Sequence, residues 1–372
     1  MAGIYVHIPF CKSKCSYCDF TSFPDKLCYA ESYMTCVYRE MAMRSPELKN
    51  YTFQTLYIGG GTPSVIDENY IAMLVAAAKK YFNLTADAEI TIEMNPGTVS
   101  TKKIETYLKC GVNRFSVGLQ TAVDSQLSDL GRIHNLKDYL NCAKLLKGQN
   151  FSADIMFGLK NQTVADIEKS IETAAYSGAN HISTYALTPE DGTPIYTDYL
   201  NGELPDGDEV ADMYAFIVKK LRSLGYERYE VSNFAKRGKE SRHNLNYWKR
   251  GEYIGFGVSA SSCINNVRMT NTFDLDEYFK CILSNHLAVI SREEIDKAGQ
   301  EEEFIMLALR TAAGLDLEEY TALFGGDFTK KYAKQIQNTR EYVEVTPKTF
   351  KIKDEYLFVQ NSIIIEYLNA AD

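Results

Sequence analysis

The stretch Cys11-Lys12-Ser13-Lys14-Cys15-Ser16-Tyr17-Cys18 places three cysteines in one short loop, with the spacing C-x3-C-x2-C. It follows an apolar, β-branched run at residues 3–8, which predicts a strand. Three thiolates in one loop can converge on one metal centre, but a four-coordinate ion needs a fourth ligand. The stretch therefore predicts a metal centre at the end of the first strand, and the rest of the chain is interpreted around it.

Two kinds of metal centre fit this spacing equally well. In the first, an iron–sulfur cluster keeps one iron open for another ligand. In the second, His7 completes a structural zinc site in the order H-x3-C-x3-C-x2-C. Disulfides are disfavoured because the nine cysteines are odd in number and scattered, and no secretory signal segment is found. We therefore expect a reducing, cytoplasmic location.

Composition limits the classes of partner. The chain has 372 residues, 45% of them hydrophobic, which is enough for one large domain and a smaller one. Lys and Arg total 40 against 49 Asp and Glu, and this net charge of −9 disfavours a broad nucleic-acid-binding surface. No apolar run approaches the roughly 18 residues that a membrane span needs. We expect no nucleic-acid partner and no membrane span, while peripheral membrane association stays compatible with the sequence.

Strand and helix patterns alternate six times along the first 224 residues. The predicted strands are 4–8, 55–58, 89–93, 114–118, 153–157 and 181–186. The predicted helices are 30–44, 71–82, 102–109, 136–146, 167–176 and 209–224. This alternation predicts a parallel α/β sheet with its helices outside. Cysteine, glycine and polar residues follow the carboxyl ends of the predicted strands, where α/β barrels place their active sites.

Two further stretches favour iron over zinc. Residues 57–63 read Y-I-G-G-G-T-P and residues 93–97 read E-M-N-P-G. Together with the cysteine loop, they resemble the radical S-adenosylmethionine (SAM) superfamily, and within it the oxygen-independent coproporphyrinogen III oxidase-like family, over most of the chain. The resemblance implies a [4Fe-4S] cluster on Cys11, Cys15 and Cys18 and SAM on its open iron. It also implies a partial (β/α)6 TIM-like barrel, and a complete eight-unit barrel is the alternative.

The resemblance also assigns residues to the SAM site. They are Tyr5, Gly60, Gly61, Thr62, Glu93, Gln120, Arg132 and Asp154. In the family the glycine turn meets the SAM amino group, and positions matching Glu93 and Asp154 bind ribose. Arg132 matches a partner of the methionine carboxylate. Without the resemblance, Arg132 is interpreted as a surface cation, Tyr5 as a core residue and Glu93 as a solvated or capping carboxylate.

Two features bear on the branch of the family. The oxidase branch carries C-x3-C-x2-C-x-C, whereas Phe20 stands here at the fourth cysteine position. Residues 243–248 read H-N-L-N-Y-W, the signature of the haem chaperone branch. The resemblance makes His243 a candidate axial ligand of haem, and a hydrogen-bonded structural histidine is the alternative. Many chaperone relatives have a histidine at the position of Ser261. In this respect the sequence resembles the oxidase branch instead.

The region after residue 224 departs from the alternation. An aromatic, glycine-punctuated segment is predicted to close the barrel mouth. Helical patterns at 302–310, 316–324 and 328–337, followed by short strands near 343–345 and 349–352, resemble a small, mostly helical, winged-helix-like domain. The predicted division is 1–228 for the barrel, 229–290 for the closing segment and 291–372 for the C-terminal domain.

The resemblance predicts a haem chaperone, which binds haem or a porphyrin and passes haem to acceptor proteins. An electron donor such as flavodoxin or ferredoxin is expected as a further partner. The alternative is an enzyme, the oxygen-independent coproporphyrinogen III dehydrogenase. In that case a 5′-deoxyadenosyl radical starts the oxidative decarboxylation of propionates to vinyl groups in porphyrin biosynthesis, with the cofactor supplying the chemistry.

Overall fold

The computed structural model describes residues 2–368. The strands are β1 Ala2–Ile8, β2 Thr52–Gly60, β3 Asn83–Met94, β4 Arg114–Gln120, β5 Phe151–Phe157, β6 His181–Ala186, β7 Glu227–Arg228, β8 Asn233–Ala235, β9 Glu252–Phe256, β10 Ser261–Ile264, β11 Val267–Asn271, β12 Val289–Glu294, β13 Leu315–Asp316, β14 Val343–Val345 and β15 Thr349–Ile352. The helices are α1 Ala30–Arg44, α2 Glu68–Tyr81, α3 Thr101–Cys110, α4 Asp124–Asp129, α5 Leu136–Leu145, α6 Val164–Tyr176, α7 Ile195–Leu200, α8 Gly207–Ser223, α9 Arg242–Trp248, α10 Leu275–Leu283, α11 Lys297–Ala308, α12 Leu317–Phe324, α13 Phe328–Lys331, α14 Ala333–Thr339 and α15 Gln360–Leu368.

The six predicted strands are confirmed as β1 to β6, which run parallel in sequence order. Helices α1, α2, α3, α5 and α6 connect successive strands, and α8 follows β6. This is the predicted partial (β/α)6 barrel. The sheet has twelve strands and ends at β12 on one side and β7 on the other. Within residues 2–368 it therefore does not close into the alternative eight-unit barrel.

Successive side chains of a barrel strand point alternately to the hydrophobic core under the helices and to the inside of the barrel. On β4, Phe115, Val117 and Leu119 are fully buried and join the main hydrophobic cluster under the helices. The intervening residues, Arg114, Ser116, Gly118 and Gln120, line the barrel interior. Successive side chains of a strand point to opposite faces, so one strand supplies both sets. The carboxyl ends of the parallel strands lie at one end of the barrel, called the open end below.

The segment after α8 extends the sheet at both of its edges. β8 pairs antiparallel with β6, and β9 pairs parallel with β1 before β10, β11 and β12 continue antiparallel. Within the segment 229–290, which was predicted to close the barrel mouth, α9 lies against the amino ends of β1 and β2. There Thr55 contacts His243, and a side chain at Gly3 would place Cβ 3.1 Å from the His243 ring.

Glu89 of β3 fixes the amino end of α9. Its carboxylate accepts hydrogen bonds from the backbone N–H groups of Arg242 and His243, at 3.2 and 3.1 Å. The Ser241 hydroxyl accepts a third, from the N–H of Asn244 at 3.3 Å. First-turn N–H groups of a helix have no partner within the helix, so these acceptors stabilise its start. α9 is thereby held as a plug at the amino end of the barrel.

The C-terminal part has a hydrophobic core of its own. Phe304, Leu315, Tyr320, Phe328 and Phe350 are among its buried members. A helix, a short strand, further helices and a β-hairpin follow in the order of a winged helix, with the sheet order β13-β15-β14. The helix predicted at 328–337 is interrupted between α13 and α14. β12 still pairs with β11, so the predicted boundary at residue 291 falls inside a strand of the first sheet.

None of the helices within residues 2–368 combines the length and the apolar character that crossing a bilayer requires.

Candidate cluster and SAM site

A cavity of about 450 Å³ runs through the barrel interior from the open end. Ten of the predicted site residues line it, namely Cys11, Cys15, Cys18, Gly60, Gly61, Thr62, Glu93, Gln120, Arg132 and Asp154. They come from the loops and carboxyl ends of strands that are separated in sequence by up to about 140 residues. The structure thus brings these side chains to one wall, as the parallel sheet requires.

The cysteine loop is attached to the neighbouring strand ends by backbone hydrogen bonds. Ser16 donates its N–H to the Leu130 carbonyl at 3.1 Å, and Thr62 donates to the Phe10 carbonyl at 2.8 Å. The Cys11 Sγ lies 3.4 Å from the Thr62 Oγ1. Burial raises the pKa values of Cys11 and Cys18. These thiols therefore carry protons in the metal-free protein, and metal binding has to release them.

The donor set fits a cluster and does not fit the zinc alternative. Both ring nitrogens of His7 are already bonded, Nδ1 to the Tyr5 hydroxyl at 3.0 Å and Nε2 to the Thr21 carbonyl at 2.8 Å. His7 is thus not available as a fourth ligand. Among residues 2–368, no three His, Cys, Asp or Glu side chains converge closely enough to hold a single ion. A cubane binds each cysteine at a separate iron, which tolerates a wider spread of the three thiols.

The glycine turn packs directly on the cysteine loop. A Cβ atom at Gly61 would lie 2.9 Å from the Cys11 Sγ and 2.9 Å from the Phe10 carbonyl oxygen. Gly60 has φ +114°, a conformation that residues with side chains rarely adopt. The turn therefore needs glycine for both contact and conformation, and it exposes backbone groups beside the cysteines.

Glu93 at the end of β3 accepts hydrogen bonds but forms no ion pair among residues 2–368. Its Oε1 accepts from the Tyr57 hydroxyl at 2.7 Å, and its Oε2 accepts from the Gly60 N–H at 3.1 Å. Burial raises the pKa of Glu93 to about 7, and the charge of Asp154 adds to the increase. Near neutral pH the carboxyl group is therefore poised between its two protonation states, and a hydroxyl donor of a ligand favours the ionised one.

Asp154 faces Glu93 from β5. Its carboxylate accepts hydrogen bonds from the Ser116 hydroxyl at 2.9 Å and the Ser152 hydroxyl at 3.2 Å. Burial raises its pKa, although the surrounding hydroxyls and the charge of Arg114 oppose the shift. The barrel interior thus holds two carboxyl groups that are both disposed to accept further hydrogen bonds.

Arg132 is a half-buried cation that lines the cavity beside the cysteine loop, so it is not the solvent-facing surface cation of the alternative interpretation. Its guanidinium approaches the Cys15 Sγ at 3.6 Å, the Tyr17 hydroxyl at 3.4 Å and the Gly118 carbonyl at 3.4 Å. Its Nε has no hydrogen-bond partner among the described residues. A Cβ atom at Gly118 would come within 2.9 Å of this side chain and 2.8 Å of the Gln120 amide. Gly118 therefore leaves room for both polar groups.

Two predicted residues lie away from the cavity wall. Tyr5 directs its hydroxyl to His7 and is not among the residues that line the cavity. His243 is 1% exposed, with Nδ1 2.7 Å from the Thr55 Oγ1 and Nε2 2.9 Å from the Tyr247 hydroxyl. Burial lowers the pKa of His243 to about 3. The prediction that His243 is an axial haem ligand is corrected, because neither ring nitrogen is free to bind iron.

The sequence-based prediction missed polar residues deeper in the barrel. Arg114, His181, Ser183, Tyr185 and Asn244 also line the cavity. The signal was available, because a strand buried on both faces is normally apolar throughout. Arg114 and Ser116 share their alternation with Gln120, which marks one polar face along the whole of β4.

Comparison with known families agrees with this fold and site. A family model described as the radical SAM superfamily matches residues 5–174, and one described as the HemN C-terminal domain matches residues 295–343. This is the class of protein that the partial barrel and the cysteine loop define. The radical SAM class implies a [4Fe-4S] cluster and SAM, and the donor set described above fits both.

Curated relatives narrow the class further. The heme chaperone HemW of Bacillus subtilis is 34% identical over 347 residues, with 92% of each chain covered. The heme chaperone HemW of Lactococcus lactis is 33% identical over 362 residues, with 94% of each chain covered. The chain belongs to the radical SAM superfamily and, within it, to the family of proteins named heme chaperone HemW.

One solved structure matches almost the whole chain. The coproporphyrinogen III oxidase HemN of Escherichia coli superposes with a TM-score of 0.87 over 99% of this chain and 90% of that one. The two sequences are 19% identical, so the likeness concerns the fold.

Proposed function

We propose that the protein is a haem chaperone, which binds haem and passes it to haem-requiring proteins while it carries a [4Fe-4S] cluster and SAM. The observation that carries this function is the relation to proteins named heme chaperone HemW, at 33 and 34% identity along nearly the full length. Haem itself, the acceptor proteins and an electron donor such as flavodoxin or ferredoxin belong to the proposal.

The cluster and SAM would be held by the wall already described. Cys11, Cys15 and Cys18 would bind three irons, and the cluster would supply an open iron for SAM and an electron for its sulfonium. The role of this chain is to orient SAM. Glu93 and Asp154 would accept hydrogen bonds from ribose hydroxyls, which burial strengthens because water does not compete.

Arg132 would pair with the carboxylate of the SAM methionine. Its guanidinium lines the cavity beside Cys15 and retains an Nε without a partner among the described residues. A charge-assisted pair with a carboxylate would satisfy this half-buried cation. The Gly60–Thr62 backbone would approach the SAM amino group, since no side chain intervenes at the two glycines.

Phe20 favours the chaperone over the dehydrogenase. It occupies the position where the oxidase branch carries a fourth cysteine, it lines the open end of the cavity, and its side chain is 68% exposed. An exposed aromatic ring beside the cluster offers a face on which a flat porphyrin can stack. We therefore place haem at the rim of the open end.

Imidazole ligation of the haem iron, if it comes from this chain, falls to a histidine other than His243. Both ring nitrogens of His7 and of His181 are also bonded within the protein. His134 is 4% exposed and directs Nε2 to the Leu119 carbonyl. His286 is exposed to solvent and is flanked by the exposed Leu283 and Leu287. His286 is therefore the histidine to test first, and because its neighbour Asn285 bonds Arg39 of α1, iron ligation by His286 would place haem against α1 instead of beside Phe20.

A haem titration followed by absorption spectroscopy tests the function and the ligand separately. Anaerobically purified protein should give a saturable Soret band, and the loaded protein should pass haem to an apoprotein of higher affinity. His286→Ala should shift or weaken the band, because an imidazole ligand sets the spectrum of the iron. His243→Gln is the matched control and should leave it unchanged, since the glutamine can still hydrogen-bond within α9.

Two results would contradict these assignments in different ways. Sustained, SAM-dependent conversion of coproporphyrinogen III to protoporphyrinogen under reducing anaerobic conditions would replace the chaperone by the dehydrogenase. A Soret band that is identical in His286→Ala and in the parent protein would leave the chaperone role intact and remove His286 as the ligand.

A further inference from the structure

The cavity extends well below the cluster and SAM wall. Arg114 and Gln120 both line it from β4, one at each end of the strand. Six residue steps of about 3.3 Å separate them along the strand, or roughly 20 Å. The deep end, called the inner pocket here, is lined by Arg114, Ser116, His181, Ser183 and Asn244. None of these residues belongs to the cluster or SAM contacts assigned above.

Arg114 is a buried cation that forms no ion pair within residues 2–368. The residue is 2% exposed, and its Nε has no hydrogen-bond partner within residues 2–368. No carboxylate of the described part of the chain forms an ion pair with it, although its charge is felt by Asp154. Burying a guanidinium without hydrogen bonds or a counter-ion is energetically unfavourable in general. The fold maintains this cost at a position that faces an open cavity.

The neighbouring groups cannot serve as the missing partner. The Asp154 carboxylate is engaged by the Ser116 and Ser152 hydroxyls. Glu89 is committed to the backbone N–H groups at the start of α9. His181 is held neutral, because burial and the charge of Arg114 lower its pKa well below the usual range. Its two nitrogens contact the Ser152 and Tyr229 hydroxyls.

From these observations we propose that the inner pocket binds the carboxylate group of a small acid, with the Arg114 guanidinium as its partner. A guanidinium presents a planar fork of donors that matches a carboxylate in a bidentate pair. The Asn244 amide lines the same pocket and can donate a further hydrogen bond. A single cation with Asp154 nearby suits a monoanion better than a doubly charged phosphate.

Binding of formate, acetate and propionate to the reconstituted full-length protein tests the proposal. At least one of these monocarboxylates should raise the melting temperature and bind saturably in calorimetry, while inorganic phosphate should not. Arg114→Gln should raise the dissociation constant about tenfold or more, as expected for the loss of a charge-assisted pair. Arg242→Gln is the matched control, because it removes an arginine of α9 that bonds the Asp87 carbonyl instead of facing the pocket.

A second measurement separates a ligand-binding arginine from a structural one. Without added acid, Arg114→Met should unfold at the same temperature as the parent or higher, because it removes an uncompensated buried charge. A lower melting temperature, or failure to fold, would make Arg114 a structural cation and overturn the proposal. The proposal also fails if no monocarboxylate stabilises the parent, or if Arg114→Gln binds the acid equally well. Weakened SAM binding without any acid binding would assign Arg114 to SAM instead.

Discussion

The raised pKa of Glu93 predicts that SAM binding depends on pH. A protonated carboxyl group uses one oxygen as a donor and its remaining acceptor capacity is weaker, so the ionised form is the stronger acceptor for ribose hydroxyls. With a pKa of about 7 in the free protein, roughly 10% of the molecules are ionised at pH 6 and 90% at pH 8. The apparent affinity scales with the competent fraction. We therefore expect the dissociation constant of SAM to fall about tenfold from pH 6 to pH 8, which is about 1.4 kcal/mol.

Ionisation of Glu93 favours SAM binding but lowers the stability of the folded protein. The fold raises the pKa of an acid, so the folded protein binds the proton more tightly than the unfolded chain. The stabilisation is fully present below the ordinary pKa of 4.5 and is lost as pH rises towards about 7. SAM favours the opposite, ionised state. Binding near pH 7 should therefore release about half a proton, and calorimetry in buffers of different ionisation enthalpy measures it.

Two variants show whether Glu93 is the titrating group. Glu93→Gln should bind SAM more weakly and lose the pH dependence, because it cannot ionise. Glu230→Gln is the matched control: burial raises the pKa of Glu230 to about 7 as well, but this residue does not line the cavity. A dissociation constant that stays constant between pH 6 and pH 8, or a pH dependence that persists in Glu93→Gln, would refute the reasoning.

Three further predictions follow from the site and the fold. Anaerobically purified protein should contain about four irons per chain. Cys15→Ala should lose the iron and the brown colour, whereas Cys142→Ala, which changes a buried cysteine of α5, should keep both. Equal iron content in the two variants would contradict the ligand assignment. Gly61→Ala should also lower iron content, because its Cβ would crowd Cys11, and an unchanged iron assay would refute that contact. Asp206→Ala removes the cap of α8 and should cost about 0.5–2 kcal/mol in urea unfolding, whereas Asp208→Ala should cost less.

The barrel was predictable because its signals are local. Six apolar strands alternate with amphipathic helices, and the predicted bounds of 30–44 coincide with those of α1. The cysteine loop and the glycine turn are likewise continuous motifs that follow neighbouring strands. A parallel sheet brings motifs that follow neighbouring strands to the same end of the barrel. The position of Glu93, Arg132 and Asp154 on one wall could therefore be predicted from the sequence.

The errors concern contacts that no local pattern encodes. β9 pairs with β1 although about 250 residues separate them, and this pairing brings α9 to the amino end of the barrel. The helical spacing of the hexapeptide 243–248 puts Tyr247 one turn from His243, but nothing in it indicates that Thr55 occupies the other ring nitrogen. A histidine beside aromatic residues fits a haem ligand and a packed structural residue equally well, and only the tertiary contacts distinguish them.

The position of α9 constrains how ligands reach the barrel. His243 contacts Thr55, and Asn246 donates to the Glu252 carbonyl at 2.9 Å, while the Tyr247 ring packs edge-on against Tyr253. The signature hexapeptide thus fastens the plug to β2 and β9. Because α9 covers the amino end, a small acid would reach Arg114 only from the open end. It would have to pass the SAM-binding wall before SAM binds there. Haem would be too large for that route, so the two proposed ligands would occupy separate places, the acid at Arg114 and the porphyrin at the rim around Phe20.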